Sequence, residues 1–249
     1  MKVCIIGDGL VSLTLANVLI QKELAVDILS GKKDNRYDKS RTIGISKSNI
    51  DYFNNQIINI EKILWKIKNI KIYTEKNSQE EILKFNNDNQ QIFSIIKNDK
   101  LQKKLNQKLK KSKLIHFKRI TDYKDILKQE YKLIINCDPK HQITKKFFSN
   151  NMSKNYNSYA YTTIINHKKI TNNNTAFQNF TNNGPIAFLP ISETHTSVVY
   201  SMRVKNNLNS LDIKKIIKKY NPVYSIKKIN NHSRFQLTSS NLRKYYKNN

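Results

Sequence analysis

The fold of this chain is decided by the stretch KVCIIGDGLVS at residues 2–12. Residues 2–6 form a short apolar, partly β-branched run, which is typical of a strand buried in a parallel sheet. A turn with two glycines follows, and residues 10–21 then carry apolar side chains at helical spacing. Residues 25–29 form a second apolar run. The sequence therefore begins with a predicted β-α-β unit.

The turn has the pattern Gly7-x-Gly9-x-x-Ser12, directly after a predicted strand and at the start of a predicted helix. Gly7 allows the tight turn, and Gly9 lets the backbone approach a pyrophosphate with no Cβ in the way. Ser12 is small enough for close packing of the helix on the strand. The helix N-terminus offers free N–H groups to phosphates. The pattern favours a dinucleotide site, although a tight turn without a ligand remains the alternative.

The position that usually binds the ribose hydroxyls departs from this pattern. An acidic residue is expected about twenty residues further on, at the end of the second strand. Ser30 occupies that position, and Asp27 lies three residues too early. We therefore expect ribose binding by Ser30 that is weaker than in the standard fingerprint.

The rest of the chain divides into a mixed part and a strand-rich part. Helices are predicted at 49–67, 99–111 and 211–220, and short strands at 70–74, 82–85, 92–96 and 131–136. The strands 70–74, 82–85 and 92–96 suggest a small antiparallel patch. The Asn- and Ser-rich stretch 149–158 is interpreted as a crossing between domains. Strands then dominate, at 159–165, 176–180, 186–189, 196–202 and 223–229. The order predicts an α/β fold with a second, β-rich domain.

Composition excludes several classes of protein. The 249 residues include only 5 Gly and 2 Cys, so collagen, disulfide frameworks and zinc fingers are excluded. No apolar run has the length of about 18 to 20 residues that a membrane span needs, and the N-terminus does not resemble a signal peptide. Cys4 and Cys137 lie far apart, which indicates a reducing compartment. The default expectation is a soluble cytoplasmic protein.

The net charge of +27 does not by itself indicate a nucleic-acid partner. The basic residues are 39 Lys and only 6 Arg, spread along the chain, beside 34 Asn and 34 Ile. This bias is expected from an AT-rich genome, and base readout favours arginine. We expect a solvated lysine surface and no specific nucleic acid. A basic nucleic-acid-associated protein stays a weaker alternative that depends on charge alone.

Five stretches, in order along the chain, carry a resemblance to a known family. They are IGDGLV at 6–11, RTIGIS at 41–46, IKN at 96–98, LIINCD at 133–138, and FTNNGPIAFLP at 180–190 with SVVYSM at 197–202. The chain resembles the flavin-dependent aromatic hydroxylases of ubiquinone biosynthesis, which are relatives of para-hydroxybenzoate hydroxylase. The last stretch is the most specific, and the similarity extends over essentially the whole chain.

The resemblance implies an FAD-binding Rossmann-like domain with an inserted β-rich substrate domain. The implied division is 1–69 and 97–150 for the FAD-binding domain, 70–96 and 151–236 for the substrate domain, and 237–249 for a return segment. The implied cofactor-binding residues are Gly7, Asp8, Gly9, Leu10 and Val11 for the pyrophosphate and adenosine, Ser30 for the ribose, Arg41 and Asn98 for the middle of FAD, and Asp138 for its ribityl region. No catalytic acid or base is identified, and the five scattered histidines predict no metal site.

The activity implied by the resemblance is a monooxygenase reaction. FAD, reduced by NAD(P)H or another electron donor, would support hydroxylation of an aromatic ring on a polyprenylated ubiquinone precursor by molecular oxygen. The resemblance also leads us to expect a peripheral contact of the protein with the inner membrane or with a biosynthetic complex.

Two departures from the family pattern support an alternative. Pro139 occupies the glycine position after Asp138, and Gln142 and Lys145 replace the usual downstream Ser and Arg. The chain also ends at Asn249, where the family continues into a Gly-Asp turn and a His-Pro segment. A C-terminally truncated enzyme is therefore expected, and a non-catalytic or decayed nucleotide-binding fragment is the alternative.

Overall fold

The computed structural model describes residues 1–31, 40–75, 81–86, 91–119, 122–203 and 212–247. The strands are β1 Lys2–Ile6, β2 Ala25–Ser30, β3 Thr42–Ile45, β4 Leu64–Ile67, β5 Asn69–Thr74, β6 Leu83–Asn86, β7 Phe93–Lys97, β8 Ile115–Arg119, β9 Leu133–Asn136, β10 Asn151–His167, β11 Thr175–Thr181, β12 Gly184–Pro190, β13 His195–Arg203, β14 Ile226–Ile229 and β15 Ser233–Leu242. The helices are α1 Leu10–Gln21, α2 Lys47–Gln56, α3 Asn98–Leu109, α4 Tyr123–Leu127, α5 Gln142–Phe147 and α6 Ile213–Lys219.

A four-stranded parallel sheet forms the first unit, in the order β8-β2-β1-β9. The predicted strand at 2–6 and helix at 10–21 are confirmed, and β1 is buried from Val3 to Ile6. In order of appearance these strands run 3-2-1-4, so the order reverses between β1 and β9. Ligands of such sheets bind at this switch point, beyond the carboxyl ends of the strands.

Both faces of the parallel sheet are covered. On one face α1 and α3 pack side by side through apolar residues that include Leu13, Ala16, Leu101 and Leu105. Asn17 lies between the helices and donates to the Leu13 and Leu105 carbonyls at 2.8 and 3.3 Å. On the other face Cys4, Ile6 and Leu29 pack against α4 and α5 through Ile126 and Ile143.

The second unit is an eight-stranded mixed sheet, in the order β14-β10-β13-β12-β11-β5-β6, with β15 beside β10. Helix α6 covers one face through Ile213 and Ile217, which pack on Tyr161, Phe188 and Tyr200. We call the opposite face the open face. It carries the alternate residues of each strand, among them Ala160, Thr162, Pro185, Ala187, Ser197, Val199, Ser201, Phe235 and Leu237.

A small antiparallel sheet, β3-β7-β4, joins the two units. Thr42 in β3 contacts Ser197 of the open face, with 3.0 Å between the hydroxyl oxygens. The indole of Trp65 in β4 donates to the Asn173 carbonyl at 2.6 Å. These contacts hold the small sheet against the large sheet.

The structure corrects the predicted helix at 49–67. Helix α2 ends at Gln56, and residues 64–67 form β4, which pairs with β7. The side chain of Asn54 accepts from the Ile60 amide at 2.8 Å and so stabilises a turn in place of another helical turn. The predicted antiparallel patch is confirmed only for β5 and β6, which pair with each other within the large sheet, whereas β7 pairs with β3 and β4.

Most of the stretch 149–158, interpreted from the sequence as a crossing between domains, forms a strand. Strand β10 already begins at Asn151, and its first residues pair with β15, from Asn151 opposite Leu242 to Asn155 opposite Thr238. Residues 237–242, expected to belong to a return segment, therefore lie in the same sheet as residues 158–167. The predicted division of the chain into domains remains a prediction.

No helix within the described ranges combines the length and apolar character that a membrane crossing requires. The polar stretch 31–40, which we expect from the sequence to be a loop, lies outside those ranges except for its first and last residues. Residue 211, the first of the helix predicted at 211–220, also lies outside them.

The carboxylate of Glu75 connects the end of β5 with α6 and with the turn after β11. Glu75 accepts hydrogen bonds from the Tyr220 hydroxyl at 2.6 Å, the Asn182 amide at 2.7 Å and the Lys219 ammonium at 3.0 Å. These hydrogen bonds, the one from Tyr220 above all, lower the pKa of Glu75 from 4.5 to about 2. The ionised form is thus favoured by folding.

We expect Glu75→Gln to remove a pH-dependent contribution to the free energy of unfolding. Because the folded pKa is depressed, the contribution of Glu75 is complete above pH 4.5 and declines as the pH falls towards 2. The variant should lose about 1 kcal/mol at pH 7 and almost nothing near pH 2. Urea unfolding at several pH values measures this, with Glu193→Gln in the exposed Lys169 pair as the control. An equal loss at every pH would contradict the assignment.

Candidate functional site

The candidate site begins at Gly7, where β1 ends. Gly7 has a φ of +103°, which L side chains rarely adopt, and its amide donates to the Leu29 carbonyl at 2.8 Å. A Cβ at this position would lie 3.3 Å from the Ser12 hydroxyl and 3.5 Å from the Cβ of Asp138. The turn therefore requires glycine for its backbone and for the close approach of α1 and the end of β9.

Gly9 differs from Gly7, because its place in the turn does not require a glycine. Its φ is −74° and its ψ is 178°, a conformation open to any residue. A Cβ at Gly9 would have no atom of the described chain within 4 Å. Neither the backbone nor the packing explains a glycine here, whereas a ligand lying against this backbone does. The space above Gly9 leaves the main chain accessible to the pyrophosphate that the sequence predicts here.

The N-terminus of α1 faces that space. Gly9 is the N-cap and supplies no side-chain hydrogen bond, and the first helical bond runs from the Leu13 amide to the Gly9 carbonyl. The amides of Leu10, Val11 and Ser12 consequently have no acceptor within the helix. Val11 is 69% exposed. Free amides and the positive end of a 12-residue helix attract an anion.

Helix α3 fixes the loop from the side. Gln102 is only 7% exposed, and its amide donates to the Asp8 carbonyl at 3.2 Å. Asn98 lies one turn earlier on the same face. The Oδ1 atom of Asn98 is buried and has no hydrogen-bond partner in the described part of the chain. A buried acceptor without a partner is costly, so this atom is consistent with a donor from a bound ligand.

Arg41 joins this group through the backbone and through its side chain. The Asn98 amide donates to the Arg41 carbonyl at 3.1 Å. The guanidinium carbon of Arg41 lies 5.0 Å from the centre of the Phe235 ring, on the open face of the large sheet. Arg41 therefore lies where the site between α1 and α3 meets the open face.

Asp138 follows β9 and lies beside Gly7. Its carboxylate accepts from the Lys140 amide at 2.9 Å, and its own amide donates to the Asn136 side chain at 3.0 Å. Pro139 occupies the turn that follows. The structure thus brings Asp138 to the predicted loop, with part of its carboxylate already engaged in its own turn.

Ser30 ends β2, half-buried and in register with Arg119 of β8. Asp27 is fully buried, three residues from this end. It contacts the ammonium groups of Lys118 and Lys2 at 2.6 and 3.0 Å and the Tyr131 hydroxyl at 2.6 Å. Burial raises the pKa of Asp27, but these hydrogen bonds outweigh burial and keep the pKa below its ordinary value. Asp27 is a structural anion and not a ribose ligand.

Sequence reasoning missed Gln102. Its signal was present, because it follows Asn98 by four residues on a helix whose leucines 101, 105 and 109 are buried. No group of three or more His, Cys, Asp or Glu side chains in the described segments is arranged to hold a metal ion.

We expect Gln102→Leu to weaken binding of the FAD that the sequence predicts by about tenfold, because it leaves the Asp8 carbonyl without a donor and loosens the loop. The side chains have similar volumes, so the melting temperature should change little. Gln21→Leu is the matched control, since Gln21 also donates to a backbone carbonyl, that of Ile57 at 3.2 Å. Titration with FAD measures the effect. Equal FAD affinity in both variants would show that the loop does not depend on Gln102.

No protein-family model matches the chain. Among curated proteins, the human mitochondrial ubiquinone biosynthesis monooxygenase COQ6 is 32% identical over 96 residues. That match covers 37% of this chain and 20% of the human protein. The shared segment is therefore a small part of the relative.

Solved structures match over nearly the whole chain. The p-nitrophenol 4-monooxygenase PnpA of Pseudomonas putida has a TM-score of 0.72 at 10% identity, covering 98% of this chain and 70% of that protein. HpxO of Klebsiella pneumoniae, crystallised with FAD and uric acid, has a TM-score of 0.69 at 11% identity, with 96% and 68% covered. The tetracycline destructase Tet(51) has a TM-score of 0.61 at 14% identity, with 99% and 72% covered.

These matches confirm the predicted fold class. The chain has an α/β fold with a Rossmann-like parallel sheet and a β-rich second unit, and it shares this fold with PnpA and with the FAD complex of HpxO.

Proposed function

We propose that this chain binds FAD and belongs to a monooxygenase that hydroxylates an aromatic ring. The observation that carries the proposal is the open space above Gly9 beside the free amides of α1, together with the buried Asn98 oxygen, which has no hydrogen-bond partner among the described residues. These features lie at the switch point of a sheet whose fold is shared with monooxygenases.

In this proposal different residues bind different parts of the cofactor. Gly7, Asp8 and Gly9, with Leu10 and Val11 at the start of α1, hold the pyrophosphate and adenosine through backbone amides. Ser30 at the end of β2 contacts the ribose. Arg41 and Asn98 contact the middle of the cofactor, and Asp138 contacts the ribityl chain. Gln102 holds the Asp8 carbonyl and fixes the loop.

FAD, when bound, supplies two-electron redox chemistry and the activation of dioxygen. The chain's own residues bind and orient the cofactor and the substrate, and they exclude water from the site. Arg41 places a positive charge next to the open face, where anionic groups are stabilised. The small and apolar side chains Ala160, Val199 and Ala187 offer a dry surface for an aromatic ring.

The finer proposal is a polyprenylated ubiquinone precursor as the substrate and NAD(P)H or another donor as the reductant. It is supported by the motifs at 180–190 and 197–202 and by the match to human COQ6. Exposed apolar side chains also continue along the open face, with Leu83 at 52%, Phe85 at 49% and Phe180 at 47% exposure. Such a strip suits an isoprenoid chain. A peripheral contact with a membrane or a biosynthetic complex belongs to the same proposal.

A non-catalytic nucleotide-binding fragment is the second candidate, because Pro139 occupies the turn after Asp138 where the family has glycine. The experiment that separates the two combines FAD with the purified chain, a nicotinamide reductant and a polyprenylated phenol under ¹⁸O₂. Mass spectrometry then detects ¹⁸O in the aromatic product. Labelled product supports the monooxygenase. FAD binding without labelled product supports the fragment, and no FAD binding contradicts the monooxygenase.

A further inference from the structure

The acidic residues of this chain are distributed unevenly along the sequence, whereas the basic residues are not. Only two of the 18 acidic residues, Glu193 and Asp212, follow Asp138, but 18 of the 45 basic residues do. The lysine bias expected from an AT-rich genome does not explain this difference, because the depletion of acidic residues is confined to one part of the chain. The last part of the chain therefore carries its own concentrated positive charge.

Part of this region projects beyond the large sheet. Strand β10 pairs with β13 from Ser158 onward, so residues 151–155 pair with β15 alone among the described strands. The Arg243 amide continues this pairing by donating to the Asn150 carbonyl at 3.1 Å. We call residues 150–156 and 238–247 the basic ribbon. Residues 150–156 are all exposed, so their side chains are available to a partner.

The basic ribbon forms one charged surface with the adjacent segment 140–147, which includes α5. Lys247 lies over the Phe147 ring, with 4.2 Å between the ammonium nitrogen and the ring centre. The segments 140–156 and 238–247 contain no acidic residue, and none of their cations forms an ion pair with a residue that the structure describes. These exposed cations are Lys140, Lys145, Lys146, Lys154, Arg243, Lys244 and Lys247. Such a surface attracts a polyanion.

Exposed aromatic rings lie among these cations. Tyr156 is 50% exposed, Tyr245 is 71% exposed and Tyr246 is 79% exposed. The ammonium nitrogen of Lys154 lies 5.5 Å from the centre of the Tyr156 ring, so charge and ring share one face of the ribbon. Aromatic rings that are this exposed gain little from packing within the chain, whereas they can stack on the rings of a ligand.

The remaining side chains of the basic ribbon distinguish between possible polyanions. An anionic bilayer is bound through inserted Trp, Phe or Leu side chains, but Met152 is the one large aliphatic side chain exposed on the described ribbon. The uncharged residues are mostly asparagine and serine, at positions 150, 151, 153, 155 and 239–241. Nucleic acids are bound by cations and polar side chains at the phosphates and sugars, and by aromatic rings that stack on unpaired bases. The ribbon combines these three kinds of side chain.

We propose that the basic ribbon binds single-stranded RNA without sequence specificity. The lysines and Arg243 contact phosphates, and the exposed tyrosines stack on unpaired bases. The asparagine and serine side chains donate to phosphates and 2′-hydroxyl groups. Base readout is not involved, because the ribbon has a single arginine. This activity goes beyond the proposed function, since it uses none of the residues assigned to the cofactor and requires no flavin.

The first test concerns stacking and uses the purified full chain without added flavin. Fluorescence anisotropy of a labelled oligouridine of about 12 nucleotides measures binding. The double variant Tyr245→Ala/Tyr246→Ala should weaken binding by at least about tenfold, because each ring stacks on a base. Tyr52→Ala is the matched control, since Tyr52 lies on α2 and is also exposed, at 52%. The control should bind oligouridine as the wild type does.

The second test concerns charge and uses the same titration at several salt concentrations. The double variant Lys154→Gln/Arg243→Gln should weaken binding and lower the slope of log affinity against log salt by about 1.4, because two phosphate contacts are lost. Lys214→Gln/Lys215→Gln is the matched control. It removes the same charge from exposed positions of α6, outside the ribbon, and should keep the wild-type slope.

Three results would overturn the proposal. The first is the absence of saturable oligouridine binding, including the case in which the chain binds phosphatidylglycerol vesicles instead. The second is an equal effect of the ribbon variants and their controls. The third is wild-type affinity in the tyrosine variant together with equal binding of double-stranded RNA, which would show attraction by charge alone. Circular dichroism checks that the variants are folded. None of these results bears on FAD binding, so the proposed function is tested separately.

Discussion

Gly9→Asp should abolish FAD binding by this chain while leaving the fold intact. The new side chain enters the space above Gly9, where no described atom lies within 4 Å of a Cβ, so it meets no obstacle within the protein. The backbone φ of −74° at position 9 is allowed for aspartate, and aspartate is a good N-cap residue for α1. The folded chain should therefore be as stable as the wild type or slightly more stable.

The effect on the cofactor is large because the carboxylate occupies the position proposed for the pyrophosphate. A like charge in contact with phosphate costs several kcal/mol, which corresponds to at least about a hundredfold loss of affinity. Titration of the purified variant with FAD measures this loss. Gly9→Ala isolates the effect of the Cβ, and Asn241→Asp, on the exposed end of β15, controls for the change in net charge. Wild-type affinity in Gly9→Asp would show that the phosphates do not lie against Gly9.

Gly184→Ala should produce the largest loss of stability among single methyl additions. At a φ of +136°, an added Cβ would lie 2.1 Å from the Ser201 oxygen and 3.1 Å from its carbonyl carbon. These atoms belong to the backbone of β13, so they cannot yield as a flexible side chain would. Backbone strain and overpacking together predict a loss of about 3 kcal/mol or more.

Urea unfolding followed by the fluorescence of Trp65, the single tryptophan, measures this loss. Gly44→Ala is the matched control, because a Cβ there would only touch the Phe93 ring at 3.5 Å. The control should change the free energy of unfolding by less than about 1 kcal/mol. Equal unfolding curves for the two variants would contradict the geometry of the turn.

The local part of the site could be predicted from the sequence. The bend at Gly7, the start of α1 at Leu10 and its end at Gln21 depend on residues within a few positions of one another. For that reason the β-α-β unit and its glycines are visible in the pattern alone. Asp138 could be placed near Gly7 only through the family resemblance, since the pairing of β1 with β9 joins residues far apart in sequence.

Other elements depend on distant partners. Residues 64–67 read as part of a helix by their apolar spacing, but pairing with β7 makes them a strand. The start of β10 is rich in Asn and Ser and is interpreted from the sequence as a crossing between domains, yet it pairs as a strand with β15. Gln102 gains its role from its contact with the Asp8 carbonyl, which no local pattern encodes.

The central claim is that the loop at 7–11 and the start of α1 hold the pyrophosphate and adenosine of FAD. The most direct measurement is a comparison of FAD and FMN binding to the purified chain by isothermal titration calorimetry. FMN lacks the pyrophosphate and adenosine, so we predict one FAD site per chain and at least about tenfold weaker binding of FMN. Equal affinities for FAD and FMN, or no saturable binding of FAD, would contradict the account.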